Sequence, residues 1–200
     1  MSGTGTRQKL LHEGLRLLLR EGYSATGIKR IVDAADVPKG SFYHFFPDGK
    51  EDFALGVVEL YAELAAQTRR ELLLEGAGPP LQRLRRYFLH YAAYFEGVGF
   101  REGCLLGNLS AEVSDVSDNL RAKIQSAFAA WEVDLEQVVR EAMDKGEVRP
   151  LDSPRRIARH LIHGWEGALL RMKAEKNATA MDDFIAMTFD AWLTGLEAQD

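Results

Sequence analysis

The chain has a single cysteine, Cys104, in 200 residues. That excludes an intrachain disulfide framework and makes a reducing, cytoplasmic setting the default expectation. It also lacks any apolar run long enough to span a membrane. The nearest thing to a signal-peptide core, Leu17-Leu18-Leu19, is broken on both sides by Arg16 and Arg20. Turn-punctuated alternating segments of the kind that build sheets are absent, as are internal repeats and low-complexity tracts. His90, His160 and His163 fall at no metal-binding spacing: His160 and His163 are i, i+3, but no acidic ligand set in a recognised pattern accompanies them. Nothing marks a general base or an oxyanion hole beside Cys104. Neither a metal, a cofactor nor a catalytic residue is therefore expected.

What remains is apolar residues at helical spacing, in a chain whose 46% apolar content is enough to bury a real core. The spacing predicts an all-α protein. Residues 7–22 read as a first helix lined by Leu11, Leu15 and Leu18 and stopped at Gly22. Thr26 is placed as the N-cap of a short second helix, with Ile28, Ile31, Val32 and Ala35 inward and Lys29, Arg30 and Asp33 outward. Asp36 suits the following turn, and Pro38 the first position of a third helix. Asp48-Gly49-Lys50-Glu51 reads as a capping device for a fourth helix over about 50–75, ended by Gly76-Ala77-Gly78-Pro79-Pro80. A fifth helix to about Phe95, a short one from Cys104 or Leu105, and a long one capped by Asp118 and ending near Gly146 follow. Ser153-Pro154 starts the next, and a last helix near 182–197 is apolar on more than one side. That last helix is either a central core element or, with the Ser153–Lys176 helix, a surface packed on its twin in a homodimer, through Trp165, Leu169, Ile185, Phe189 and Trp192.

The stretch richest in chemistry is Val37–Phe46. Phe42, Phe45 and Phe46 fall at i, i+3 and i+4, giving one apolar face, while Lys39, Gly40, Ser41, Tyr43 and His44 are small or can donate to a phosphate or a base edge. With the short amphipathic helix before it, this is the pairing of a helix-turn-helix reader of DNA. Charge agrees. Residues 1–50 carry eight Lys and Arg against five Asp and Glu, a net +3 that leaves −8 on the rest of a chain whose total is −5. A basic head on an acidic body suits contact of the head alone with a polyanion.

Read in order, Gly22-Tyr23, Ala25-Thr26, Ile28, Ile31, Ala34-Ala35, Val37, Lys39-Gly40-Ser41, Tyr43-His44-Phe45-Phe46 and Lys50-Glu51 resemble the DNA-reading segment of the TetR family of transcriptional regulators. The resemblance covers about the first quarter of the chain. Three positions depart from the family pattern: Asp36 where glycine is common, Pro38 where serine or threonine is common, and Gly49, an extra residue before the fourth helix. The resemblance implies an N-terminal three-helix head (1–50), joined by a long helix to a helical effector-binding and dimerisation domain (51–200). It implies a homodimer on a palindromic double-stranded operator, released by a small organic effector. Thr26, Lys29, Lys39, Gly40, Ser41, Tyr43, His44 and Lys50 are the candidate DNA contacts. Lys50, a cation in a first helical turn where the macrodipole disfavours it, is either a phosphate ligand or a solvated lysine.

A second, shorter run, Gly103-Cys104-Leu105-Leu106-Gly107-Asn108-Leu109-Ser110-Ala111-Glu112-Val113, resembles the branch of the family that responds to electrophiles or acrylate-like compounds. In electrophile-sensing members the cysteine of this run is the sensor. From the residues alone, Cys104 is either a small buried hydrophobe or a thiol activated by a helix N-terminus. Phe100, Trp131 and His163 are further candidates for lining an effector cavity. The rival to a regulator is a helical ligand-binding protein or enzyme with a vestigial head.

Overall fold

The computed structural model describes residues 3–195, and every regular element among them is helical. Leu196, expected on the last helix, lies outside that range. Among the described residues, nine α-helices run in order: α1 (Gly3–Glu21), α2 (Ile28–Ala35), α3 (Lys39–Phe45), α4 (Lys50–Arg69), α5 (Pro80–Gly97), α6 (Leu105–Val113), α7 (Asp118–Asp144), α8 (Pro154–Glu175) and α9 (Thr179–Ala186). Two of them continue as π-helical turns, α4 through Arg70–Leu74 and α9 through Met187–Trp192. The chain divides into two compact units. The first holds residues up to Leu64 together with Cys104–Phe128, and the second holds Ala65–Gly103 and Ala129 onward.

In the first unit, α1 packs against α2, α3 and α6. That explains why its buried face is wider than the Leu11, Leu15 and Leu18 stripe: Leu10, Leu17 and Leu19 are buried as well. The helix ends where Gly22 takes φ +83°, its N–H donating to the Leu18 carbonyl. Helix α2 turns Ile31, Val32 and Ala35 inward and ends at Asp36, left-handed at φ 51°, whose N–H reaches the Asp33 and Val32 carbonyls. Aromatic packing fixes α3. Phe42 and Phe46 are fully buried and meet the Phe53 ring of α4 at 5.3 and 5.2 Å. Gly14 of α1 makes room for that ring, since a Cβ there would lie 2.1 Å from Phe53 Cζ.

Several expected caps fall elsewhere. The N-cap of α2 is Gly27 rather than Thr26, whose hydroxyl donates to the Gly22 carbonyl at 2.7 Å. Pro38 precedes α3 as its N-cap instead of opening its first turn. Ser117 rather than Asp118 caps α7, its Oγ accepting from the Leu120 N–H at 3.1 Å. Glu51 does not close a capping box before α4; it accepts hydrogen bonds from Ser117 and Asn119.

The second unit is built on an aromatic core. Phe88 of α5 meets Trp165 of α8 at 5.2 Å, Phe184 of α9 at 5.2 Å and Phe189 at 5.9 Å. The same helix α5 carries a buried cation, Arg83. The π-helical turn of 70–74 leaves carbonyls outside the α ladder, and Arg83 Nη1 donates to Leu73 O at 2.5 Å and Leu74 O at 3.3 Å. Its Nη2 pairs with Glu141 of α7. Burial pushes the Glu141 carboxyl up, but hydrogen bonds from Arg83 and Gln137 outweigh it, so its pKa lies below the ordinary 4.5. At α8, the expected Ser153-Pro154 start holds, with Ser153 Oγ accepting from the Arg156 N–H.

Trp165, Leu169, Ile185 and Phe189, expected at a twin's surface, are buried by the chain itself, and Trp192 is half-buried against His160, ring to ring at 4.8 Å. The burial of the first four fits the central-core reading, since α9 packs on both α8 and α5. On α8 and the π-helical turn after α9, the large apolar side chains left exposed are Leu170 at 64% and Met187 at 66%.

Candidate nucleic-acid interface

Helix α3 has two distinct sides. Its inner side is Phe42, anchored on Phe46 and Phe53. Its outer side carries Lys39, Gly40, Tyr43 and His44, all exposed, with Ser41 half-buried. Tyr43, 45% exposed, stands edge-on to Phe42 at 5.5 Å, so the buried ring sets its direction. The Lys39 ammonium lies 6.0 Å from the Tyr43 ring centroid. His44 leans edge-on against Phe45 at 4.9 Å, and Phe45 is only half-buried, so the apolar face has two anchors rather than the three expected. A Cβ at Gly40 would meet nothing within 4 Å. The outer face is thus an open row of donors on a rigid aromatic base, the arrangement that positions a recognition helix against phosphates and base edges.

The other candidate contacts are less free. Lys29 pairs with Asp33 at 2.5 Å, although its side chain stays 87% exposed. Thr26 is wholly buried, and both its hydroxyl and its N–H are used within the turn. Lys50 places its ammonium 4.2 Å from the Tyr23 ring centroid. Burial lowers its pKa, and the nearby Glu112 carboxylate acts in the opposite sense.

Glu112 is the residue that sequence reasoning missed. From α6 it accepts the backbone N–H of Tyr23 at 3.1 Å and of Ser24 at 2.7 Å, in the turn between α1 and α2. Burial raises its pKa, but those two amides, the Ser24 hydroxyl and Lys50 together bring it below the ordinary 4.5. Its only sequence signal is membership of the Gly103–Val113 run.

The chain matches two family descriptions. Residues 10–57 match "Bacterial regulatory proteins, tetR family", and residues 80–188 match "Tetracyclin repressor-like, C-terminal domain". Together these cover more than half of its length. The chain belongs to the TetR family. It is a TetR-type DNA-binding transcriptional regulator rather than an enzyme. It is 35% identical to the HTH-type transcriptional repressor DhaR of Mycobacterium sp. strain GP1 over 98% of this chain and 97% of that one. It is 38% identical to the transcriptional regulator AcuR of Cereibacter sphaeroides over 88% and 80%. Among solved structures, the reduced form of Escherichia coli NemR superposes with a TM-score of 0.87 at 30% identity, covering 95% of this chain and 98% of that one.

In this TetR-family chain, Cys104 is 6% exposed and is the N-cap residue of α6, and the Tyr61 hydroxyl donates to its Sγ at 3.6 Å. The other three effector candidates belong to the second unit. Phe100 is half-buried in a left-handed conformation, its carbonyl accepting from Lys176 Nζ at 3.0 Å. Trp131 is buried, 6.4 Å from the Tyr87 ring. His163 is exposed on α8. Among the described residues no helix is long and apolar enough to cross a membrane.

Proposed function

We propose that this TetR-family regulator is a cytoplasmic repressor that binds a palindromic operator as a homodimer and leaves it when an effector acts. The observation that carries the reading is the outer face of α3. Lys39, Gly40, Ser41, Tyr43 and His44 stand on one side of a helix whose other side is pinned by Phe42. Two such helices, one per protomer, enter successive major grooves and read base edges, while Lys29 and Lys50 contribute charge toward the backbone. For Lys50 this means leaving the Tyr23 ring. Thr26, being buried, acts by shaping the turn. Residues 1–50 are the reading head, and 51–200 take up effector and partner. Leu170 and Met187 are the apolar contacts left for a second copy on α8 and the π-helical turn after α9.

The effector is a small organic electrophile acting at Cys104, or a reversible ligand of acrylate-like size near Phe100, Trp131 or His163. For the first, Cys104 stands at a helix N-terminus with a hydroxyl donor on its sulfur, both of which favour the thiolate. In either case release requires that the effector bind the two conformations unequally. The test is a shift assay on an operator selected from random DNA with the wild-type protein, with and without N-ethylmaleimide, for wild type and Cys104→Ser. The expected result is DNA binding by both proteins and release of the wild type alone. Binding by both with release of neither refutes the thiol switch and leaves the reversible ligand. Absence of salt-sensitive DNA binding by the wild type refutes the repressor itself.

A further inference from the structure

The α1–α2 turn is held from outside by one carboxylate. Gly22 is left-handed at φ +83°, Thr26 donates to its carbonyl, and the next two backbone N–H groups, of Tyr23 and Ser24, both point to Glu112. The fit is close on every side. A Cβ at position 22 would lie 2.6 Å from Glu112 Oε1, and the Lys50 ammonium covers the Tyr23 ring. Glu112 is the second-last residue of α6, where a negative charge opposes the helix dipole. A carboxylate there is disfavoured for α6 alone and is explained by what it holds. The clamp joins segments about 90 residues apart in sequence within the first compact unit.

We propose that Glu112 is a positioning residue for DNA reading. By fixing Tyr23 and Ser24 it sets the direction in which α2 leaves the turn, and with α2 the pose of α3. It also makes α6 part of the reading head. Cys104 caps the other end of α6, roughly 12 Å away at the ~1.5 Å rise of a helix, so a displacement of that end is delivered to the turn that aims α3. The proposal rests on the reading of this chain as a DNA-binding regulator.

Simple electrostatics and the clamp predict opposite signs. Removing a negative charge beside a DNA-binding head, with nothing else changed, tightens binding to any duplex. Removing a clamp weakens binding to the operator. The experiment compares full-length wild type, Glu112→Gln and Glu112→Asp by fluorescence anisotropy on the selected operator and on a random duplex of equal length. Thermal melts check folding, and hydrogen exchange reads the Tyr23 and Ser24 amides. Glu112→Asp keeps the charge and shortens the reach, so it tests geometry alone if the glutamine variant folds poorly.

The expected result for both variants is faster exchange at the two amides and operator affinity lower by about tenfold, the scale of one charge-assisted hydrogen bond. Random-duplex affinity is unchanged in the aspartate variant and unchanged or tighter in the glutamine variant. Operator affinity that holds or rises in folded variants overturns the proposal, whether or not the amides exchange faster. A wild type that binds neither DNA fails differently, since it removes the regulator reading on which the proposal stands.

Discussion

Gly14→Ala sets two effects of opposite sign against each other in the middle of α1. Replacing a helical glycine by alanine ordinarily stabilises by about 1 kcal/mol. At Gly14, however, the added Cβ would stand 2.1 Å from Phe53 Cζ and 2.9 and 3.0 Å from the two Cε atoms. The ring has no easy retreat, because Phe53 is buried against Phe42 at 5.3 Å and Phe46 at 5.2 Å. Overpacking of this kind costs about 1–3 kcal/mol, toward the upper end where the neighbour cannot rotate away. The net expectation is destabilisation by roughly 1–2 kcal/mol, which for a chain of this size lowers the melting temperature by about 2–8 °C. Gly5 lies in the same helix with nothing within 4 Å of its Cβ, so Gly5→Ala is the control and leaves the melting temperature unchanged or higher. The assay is thermal unfolding by circular dichroism. Phe53→Leu in the Gly14→Ala background recovers part of the loss, as coupled neighbours do. A Gly14→Ala protein that melts at or above the wild type refutes the claim that this ring stack anchors α3.

Three further outcomes are expected. Glu112 has a pKa lowered below 4.5, so its contribution is complete above about pH 4.5 and disappears as pH falls through the lowered value. The melting difference between wild type and Glu112→Gln should therefore be present at pH 7 and shrink as pH falls below 4.5. Arg83→Met takes the guanidinium donors away from the Leu73 and Leu74 carbonyls and leaves Glu141 with Gln137 alone. With Glu141 partly solvated, a loss of about 2–3 kcal/mol is expected, read as a lower melting temperature. Leu170→Glu adds charge to an apolar side chain that the chain itself leaves exposed. Sedimentation should show a shift from dimer to monomer with little change in helical content, and an unchanged dimer would remove α8 from the proposed interface.

Local signals were legible in the sequence where one residue and its near neighbours decide the outcome. Gly22 stops α1, Ile31, Val32 and Ala35 form one face, and Ser153-Pro154 opens α8, each because backbone geometry or helical period suffices. The caps failed where tertiary packing took the side chain away. Thr26 is drawn into the core toward Gly22, and Ser117 outcompetes Asp118 one residue later. The π-helical turn before Gly76 depends on Arg83, a donor about ten residues on that no spacing rule links to it. Glu112 is the clearest case: its partners lie 88 and 89 residues away, and a glutamate near a helix C-terminus carries no signal of what it clamps. The apolar last segment showed in sequence that it must be buried on several sides, but not which neighbours would bury it. The fold supplies Phe88 and Trp165 of the same chain, which meet Phe184 and Phe189 of that segment.

The most direct test of the central claim, that the outer face of α3 reads DNA, is the salt dependence of operator affinity for wild type, Lys39→Ala and Tyr43→Ala. The account predicts a steep loss of wild-type affinity with rising salt. It also predicts a loss of about 1–3 kcal/mol in a variant that gives up a base contact, and a slope lower by about one where a phosphate contact is lost. If both variants hold wild-type affinity and wild-type slope on the operator, α3 is not the reading helix.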